Sequence, residues 1–103
     1  MNINFKFHTI SDVLKEDLKL YATDKFSHLE RFLSTFPDDN KLLTVSIEHH
    51  EKGNLYDVKC NLQVGGKTIH HEESTHNPKE AIDKSEANLI RQIKKHMEIM
   101  RGE

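Results

Sequence analysis

Hydrophobic and polar positions alternate strictly over residues 2–8, with Ile3, Phe5 and Phe7 on one side and Asn2, Asn4, Lys6 and His8 on the other. A period of two in β-forming residues predicts a strand with one buried and one wet face. Residues 42–49 repeat the pattern, setting Leu43, Val45 and Ile47 against Thr44, Ser46 and Glu48. Residues 55–64 carry it furthest, with Tyr56, Val58, Cys60, Leu62 and Val64 facing one way and Asp57, Lys59, Asn61 and Gln63 the other. Glu51-Lys52-Gly53-Asn54 has the composition of a hairpin connection between these two strands. Gly65-Gly66 supplies the positive φ angles for a second tight turn, into a short fourth strand over about 67–74.

Two segments change period. Over residues 12–33, Leu14, Leu18, Ala22, Phe26, Leu29 and Leu33 fall on one helical stripe, and over 78–100 Ile82, Leu89, Ile93, Met97 and Met100 do the same. Phe36-Pro37-Asp38-Asp39-Asn40 reads as the loop leaving the first helix. Every strand has a wet face, so the sheet is covered on one side only, and the cover must be the helices. The expected fold is α+β in the order β-α-β-β-β-α. Its four-stranded mixed sheet starts with a parallel pair joined by a crossover, continues through hairpins, and carries two helices packed on one face. Residues 1–103 form a single domain in this reading, with no repeat or linker.

Composition narrows the class. With 35% hydrophobic and 31% charged residues, a soluble globular domain is expected. No apolar run approaches the roughly 18 residues of a membrane span. The alternating N-terminus lacks the continuous apolar stretch of a signal peptide. A single cysteine, Cys60, has no internal disulfide partner, which fits a reducing compartment, and the cytoplasm is the expected location. A net charge of −2 means that a nucleic-acid binder of this sequence has to gather its basic residues on one face.

The stretch KTIHHEESTHNPKEAI, residues 67–82, is the richest in candidate chemistry. A zincin motif needs two histidines four apart on a helix, with a glutamate directly after the first. Here Glu72 follows His71, but the next histidine is His76, five positions on, and the intervening residues belong to a strand end and a loop. His70 and His71 are expected on opposite faces of their strand, as are His49 and His50. Asn77-Pro78-Lys79-Glu80 is better explained as a helix start, with Asn at the N-cap, Pro at the first helical position and Glu80 able to bond back to the cap. No metal site and no cofactor are expected from this layout. Gly65-Gly66 is a turn rather than half of a nucleotide fingerprint, and Glu72-Glu73 alternates across a strand. No serine–histidine–carboxylate set stands out, so an enzyme is not expected.

The basic residues are more ordered. On the second helix Lys84, Asn88, Arg91 and Lys95 are spaced by four, three and four, and from Ala87 to Met97 there is Arg91, Lys94, Lys95 and His96 with no acidic residue. The first helix adds Lys25, His28 and Arg31, three apart, diluted by Asp24 and Glu30. Such spacing suits the phosphates of a rigid nucleic acid, and equally the solvated outer face of any helix. The aromatics Phe5, Phe7, Phe26 and Phe32 fall on apolar stripes and read as core.

Val64-Gly65-Gly66, Ile69-His70, Ala81-Ile82-Asp83 and Leu89-x-Arg91-Gln92-Ile93-x-Lys95-His96 resemble, without a gap, the C-terminal half of the ribosome hibernation-promoting factor family. Lys25-Phe26-x-x-Leu29-Glu30 resembles that family's first helix, and Met1-Asn2-Ile3-Asn4 its opening strand. The resemblance implies a domain that binds 16S rRNA in the decoding region of the small ribosomal subunit, occludes the mRNA and tRNA sites, and silences idle ribosomes under stress. It makes Lys25, His28, Arg31, Lys84, Arg91, Lys94 and Lys95 the candidate rRNA contacts. The chain departs from the family pattern at Asn88, where lysine is usual, at Lys79, where tyrosine is usual, and at Asn77 and Pro78. Long members add a dimerisation domain and one short type an acidic tail. A chain ending at Glu103 with neither resembles the short form, expected to be a monomer off the ribosome and in some bacteria to work with a separate ribosome modulation factor. The family's older label, modulation of σ54, implies a transcriptional role, so a protein-interaction regulatory module is the alternative. A histidine-liganded metal hydrolase is a more distant one.

Overall fold

The computed structural model describes residues 1–100 apart from the side chains of Asp38, Glu98, Ile99 and Met100, the last placed above on the second helical stripe; residues 101–103 lie outside the described part. Its elements are β1 (Asn2–His8), α1 (Asp12–Ser27), α2 (Glu30–Leu33), β2 (Lys41–His50), β3 (Leu55–Val64), β4 (Lys67–Thr75) and α3 (Pro78–Met100), with a short 3₁₀ turn at Asp38–Asn40 before β2. The sheet order is β1-β2-β3-β4, with β1 parallel to β2 and the other pairs antiparallel. This is the mixed four-stranded sheet and the β-α-β-β-β-α order that the alternation predicts.

The register explains the core. Ile3, Phe5 and Phe7 pair with Leu43, Val45 and Ile47, and these pair in turn with Leu62, Cys60 and Val58. All of these side chains share one face, and Leu18, Ala22, Phe26, Leu29 and Leu33 close over it with Ala81, Ile82, Leu89 and Ile93 of α3. Leu43, Val45 and Ile47 of β2 and Val58, Cys60 and Leu62 of β3 are fully buried, whereas Ile3, Phe5 and Phe7 stay half-buried because β1 is an edge strand. Ser11 caps α1, its Oγ accepting from the Leu14 N–H at 3.3 Å. Asn77 caps α3 as expected, its Oδ1 accepting from the Lys79 N–H at 3.0 Å. The reciprocal half of that capping box is not made, since the Glu80 carboxylate turns to Lys84 at 3.1 Å.

The first helix is not continuous over 12–33. Between α1 and α2 the His28 and Leu29 N–H groups donate to carbonyls three residues back, at 3.2 and 3.0 Å. The chain stays right-handed while tightening to a 3₁₀ turn, so the apolar stripe runs through the break and Phe26, Leu29 and Leu33 all remain buried. Gly65, at φ +53°, turns β3 into β4, and a Cβ there would lie 2.8 Å from the Phe36 ring. The position therefore needs glycine both for its backbone and for the loop packed against it.

Candidate nucleic-acid interface

Both α1 and α3 lie antiparallel to the strands that precede them, and so run parallel to each other across the sheet. Their seam can be read from its contacts in ascending order. Lys79 pairs with Asp17 at 3.1 Å, the Tyr21 hydroxyl donates to Asp83 at 2.6 Å, and Lys25 meets the same Asp83 oxygen at 3.5 Å. Farther on, His28 Nδ1 lies 2.8 Å from Glu86, and Lys94 Nζ sits 5.2 Å from the centre of the Phe32 ring. The Asp83 carboxylate raises the Tyr21 pKa by accepting its hydrogen bond, and its charge raises that of Lys25.

These contacts divide the seven residues singled out from sequence. Lys25 and His28 sit on the seam against α3 carboxylates. Lys84 pairs with Glu80 on its own helix, one turn back. Arg31, Arg91, Lys94 and Lys95 are exposed, and among the described residues none of the four has a carboxylate partner. Arg31 and Lys94 instead approach the half-buried Phe32 ring, at 5.9 and 5.2 Å. Phe32 thus packs half-buried against the core and also offers its ring to two cations at the rim of the helix layer. Asn88, the residue in place of the usual lysine, accepts from the Gln92 amide at 2.6 Å, and that amide also donates to the His70 carbonyl at 3.1 Å. At this position the helix therefore binds the neighbouring strand instead of presenting a charge.

Charge is unevenly spread along α3. Glu80, Asp83 and Glu86 share its first half with Lys79 and Lys84, while Arg91, Lys94 and Lys95 lie in its second half, ahead of Glu98 near the end. Because α1 and α3 are parallel, Arg31 joins the basic end. Lys67, at the start of β4, lies at the same end, around a narrow crevice also lined by Phe36, Ile93 and His96. Sequence reasoning missed Lys67, and its signal was its place directly after the Gly65-Gly66 turn. Lys41 is only 3% exposed and bonds Glu30 at 2.9 Å, so it adds nothing to the outer field.

The histidines of residues 67–82 do not converge. His70 lies on the open face beside Asn61 and Glu72, at 2.7 and 3.1 Å, while His71 lies on the helix-covered face, 2.9 Å from Glu73. His76 approaches the Asn54 carbonyl at 2.9 Å. A different set does come together, namely Glu48, His50 and Asp57, with one donor atom from each within 4.8 Å of the others. No single stretch of sequence displays it, because its members come from two strands.

The family model described as sigma 54 modulation protein / S30EA ribosomal protein matches residues 3–101, nearly the whole chain. The chain belongs to this family. Solved structures agree on the fold. The N-terminal domain of Thermus thermophilus Protein Y is 21% identical with a TM-score of 0.70, over 93% of this chain and 99% of that one. A ribosomal subunit interface protein from Coxiella burnetii is 17% identical with a TM-score of 0.71, over 94% of this chain and 98% of that one. No curated protein sequence matches significantly. Against this family background, the seam between α1 and α3 and the basic end of α3 are the features in which this member's own charges are arranged. No helix among the described residues is long and apolar enough to cross a membrane.

Proposed function

We propose that this protein is a ribosome hibernation factor that binds 16S rRNA in the decoding region of the small subunit and blocks the mRNA and tRNA sites. The observation that carries the reading is a group of exposed cations at one end of the helix layer, Arg31, Arg91, Lys94 and Lys95, none of which has a carboxylate partner among the described residues. Membership of the S30EA ribosomal protein family, and a fold shared with the Coxiella ribosomal subunit interface protein, support the ribosome as the partner. The cations give the contact its physical form. A chain with a net charge of −2 meets a polyanion through a local field, not through its total charge, and that field is strongest where no carboxylate answers the cations. Lys25, His28 and Lys84 belong to the second rank, since each must be drawn from an existing carboxylate before it can serve a phosphate. Nothing in this role calls for catalysis; occupancy alone obstructs the sites.

The double variant Arg91→Glu/Lys95→Glu tests the reading. Both residues are exposed on α3, so stability should change by no more than about 0.5 kcal/mol per site. Cosedimentation with 30S subunits should be lost, and with it inhibition of translation before elongation. Wild-type binding should also weaken steeply with salt. A double variant that still cosediments and inhibits would show that another face makes the contact. Salt-insensitive wild-type binding would favour a protein–protein role instead.

A further inference from the structure

On the uncovered face of the sheet, at the end far from the basic cluster, three ligand-bearing residues meet around the β2–β3 hairpin. The antiparallel register sets Glu48 directly opposite Asp57, and His50 follows Glu48 by two residues on the same face. His50 Nε2 lies 2.8 Å from Asp57 and 3.6 Å from Glu48. The parallel register on the other side places His8 beside Glu48. An open depression of ≈ 180 Å³ is lined by His8, Ser46, Glu48, Asp57 and Lys59. Asp57 is oriented from behind by the Ser74 hydroxyl, which donates to its other oxygen at 2.6 Å.

We propose that Glu48, His50 and Asp57 bind a zinc-type divalent cation that clips β2 to β3, with His8 as the candidate fourth donor. The donor set chooses the metal class. One or two imidazole nitrogens with two carboxylates suit Zn²⁺, Co²⁺ or Ni²⁺, whereas Mg²⁺ and Ca²⁺ prefer all-oxygen shells. The ion would take the place of the His50–Asp57 hydrogen bond, drawing both donors from their present spacing toward roughly 2.0–2.2 Å from the metal. Ser74 would keep its bond to Asp57 as an outer support of the kind that orients metal-bound carboxylates. Lys59, in the same depression, opposes the cation. It is exposed and long enough to turn outward, and its charge sets a limit on affinity that can be measured. The other histidines supply pairs with single carboxylates, His70–Glu72 and His71–Glu73, and these are the natural competitors.

The full-length chain, stripped with a chelator, should be titrated with ZnCl₂ by calorimetry while its melting temperature is followed. One saturable equivalent is expected, with a rise of several degrees at saturation and no comparable effect from Mg²⁺. His50→Ala and Asp57→Asn should each weaken binding by about tenfold or more, and Lys59→Gln should tighten it. The metal-free melts of these surface variants establish that they are folded. The proposal falls if no saturable binding occurs, if Mg²⁺ matches Zn²⁺, or if His50→Ala leaves affinity intact. It falls equally if His70→Ala or His71→Ala, and not His50→Ala, abolishes the site. Because the cluster is on the face opposite the helices, zinc should leave cosedimentation with 30S subunits unchanged, and the two readings stand or fall separately.

Discussion

Ser85, on the inner side of α3, is fully buried, and its hydroxyl has no hydrogen-bond partner among the described residues. Its polar neighbour is the thiol of Cys60, whose pKa burial pushes up to about 12. The nearby Ser85 hydroxyl acts against that rise. A buried hydroxyl left unpaired costs about 1–3 kcal/mol, and alanine is the better helix former. Ser85→Ala should therefore raise stability by about 1 kcal/mol, read as a higher midpoint in urea; a lower midpoint would mean that the hydroxyl has a partner after all. The inward placement of Cys60 was legible from alternation alone, because period two leaves no other choice. That Ser85 faces it was not, since serine breaks the apolar stripe from which the inner side of a helix is recognised. The same reasoning explains Glu48 and Asp57. Each was visible as a wet-face residue, yet only the register across the Glu51–Asn54 turn makes them opposite neighbours.

Among the elements, the strands followed their sequence pattern closely and the helices less so. Period two specifies a face at every residue, whereas the apolar stripe of the first helix continues through the 3₁₀ turn at His28–Leu29 and so conceals the break. The seam was hidden for a different reason. His28 and Glu86 are 58 residues apart in sequence, and only the parallel packing of α1 on α3 makes them partners. That packing turns two predicted rRNA contacts into residues held by carboxylates. If the rRNA reading is right, removing those carboxylates should strengthen binding. Asp83→Asn/Glu86→Gln deletes two negative charges beside Lys25 and His28 while keeping the side-chain volumes. The pairs are partly exposed, so the variant should remain stably folded. Affinity for 30S subunits at low salt should rise severalfold, and the gain should shrink as salt is added. Unchanged affinity would place the seam outside the interface and leave the contact to Arg31, Arg91, Lys94 and Lys95.

At the scale of the whole molecule, the basic end of the helix layer rests on a knot of charges that ties three distant segments together. The carboxylate of Glu30, in α2, takes the Met1 ammonium at 2.7 Å on one oxygen and Lys41 Nζ at 2.9 Å on the other. Lys41 also donates to the Leu33 carbonyl at 3.4 Å. The start of β1, the start of β2 and the helix between them are thereby pinned next to Arg31. Nothing in the hydrophobic pattern announces this, because a lysine at a buried strand position reads as a pattern error until its partners are known. The hydrogen bond from the Met1 ammonium, followed by that from Lys41, holds the Glu30 carboxyl below its ordinary value of 4.5. A depressed carboxylate contributes stability that is fully present above its unfolded-state pKa and disappears as pH falls through the folded-state value. Glu30→Gln keeps the shape and removes the charge. At pH 7 it should cost about 1 kcal/mol, less than a fully buried charged hydrogen bond because the carboxylate is partly exposed. As the pH is lowered below about 4.5, wild type should lose stability faster than the variant, and the gap between the two urea midpoints should narrow. A constant gap across that range would mean that Glu30 keeps its charge, or that its contribution to stability is one of packing.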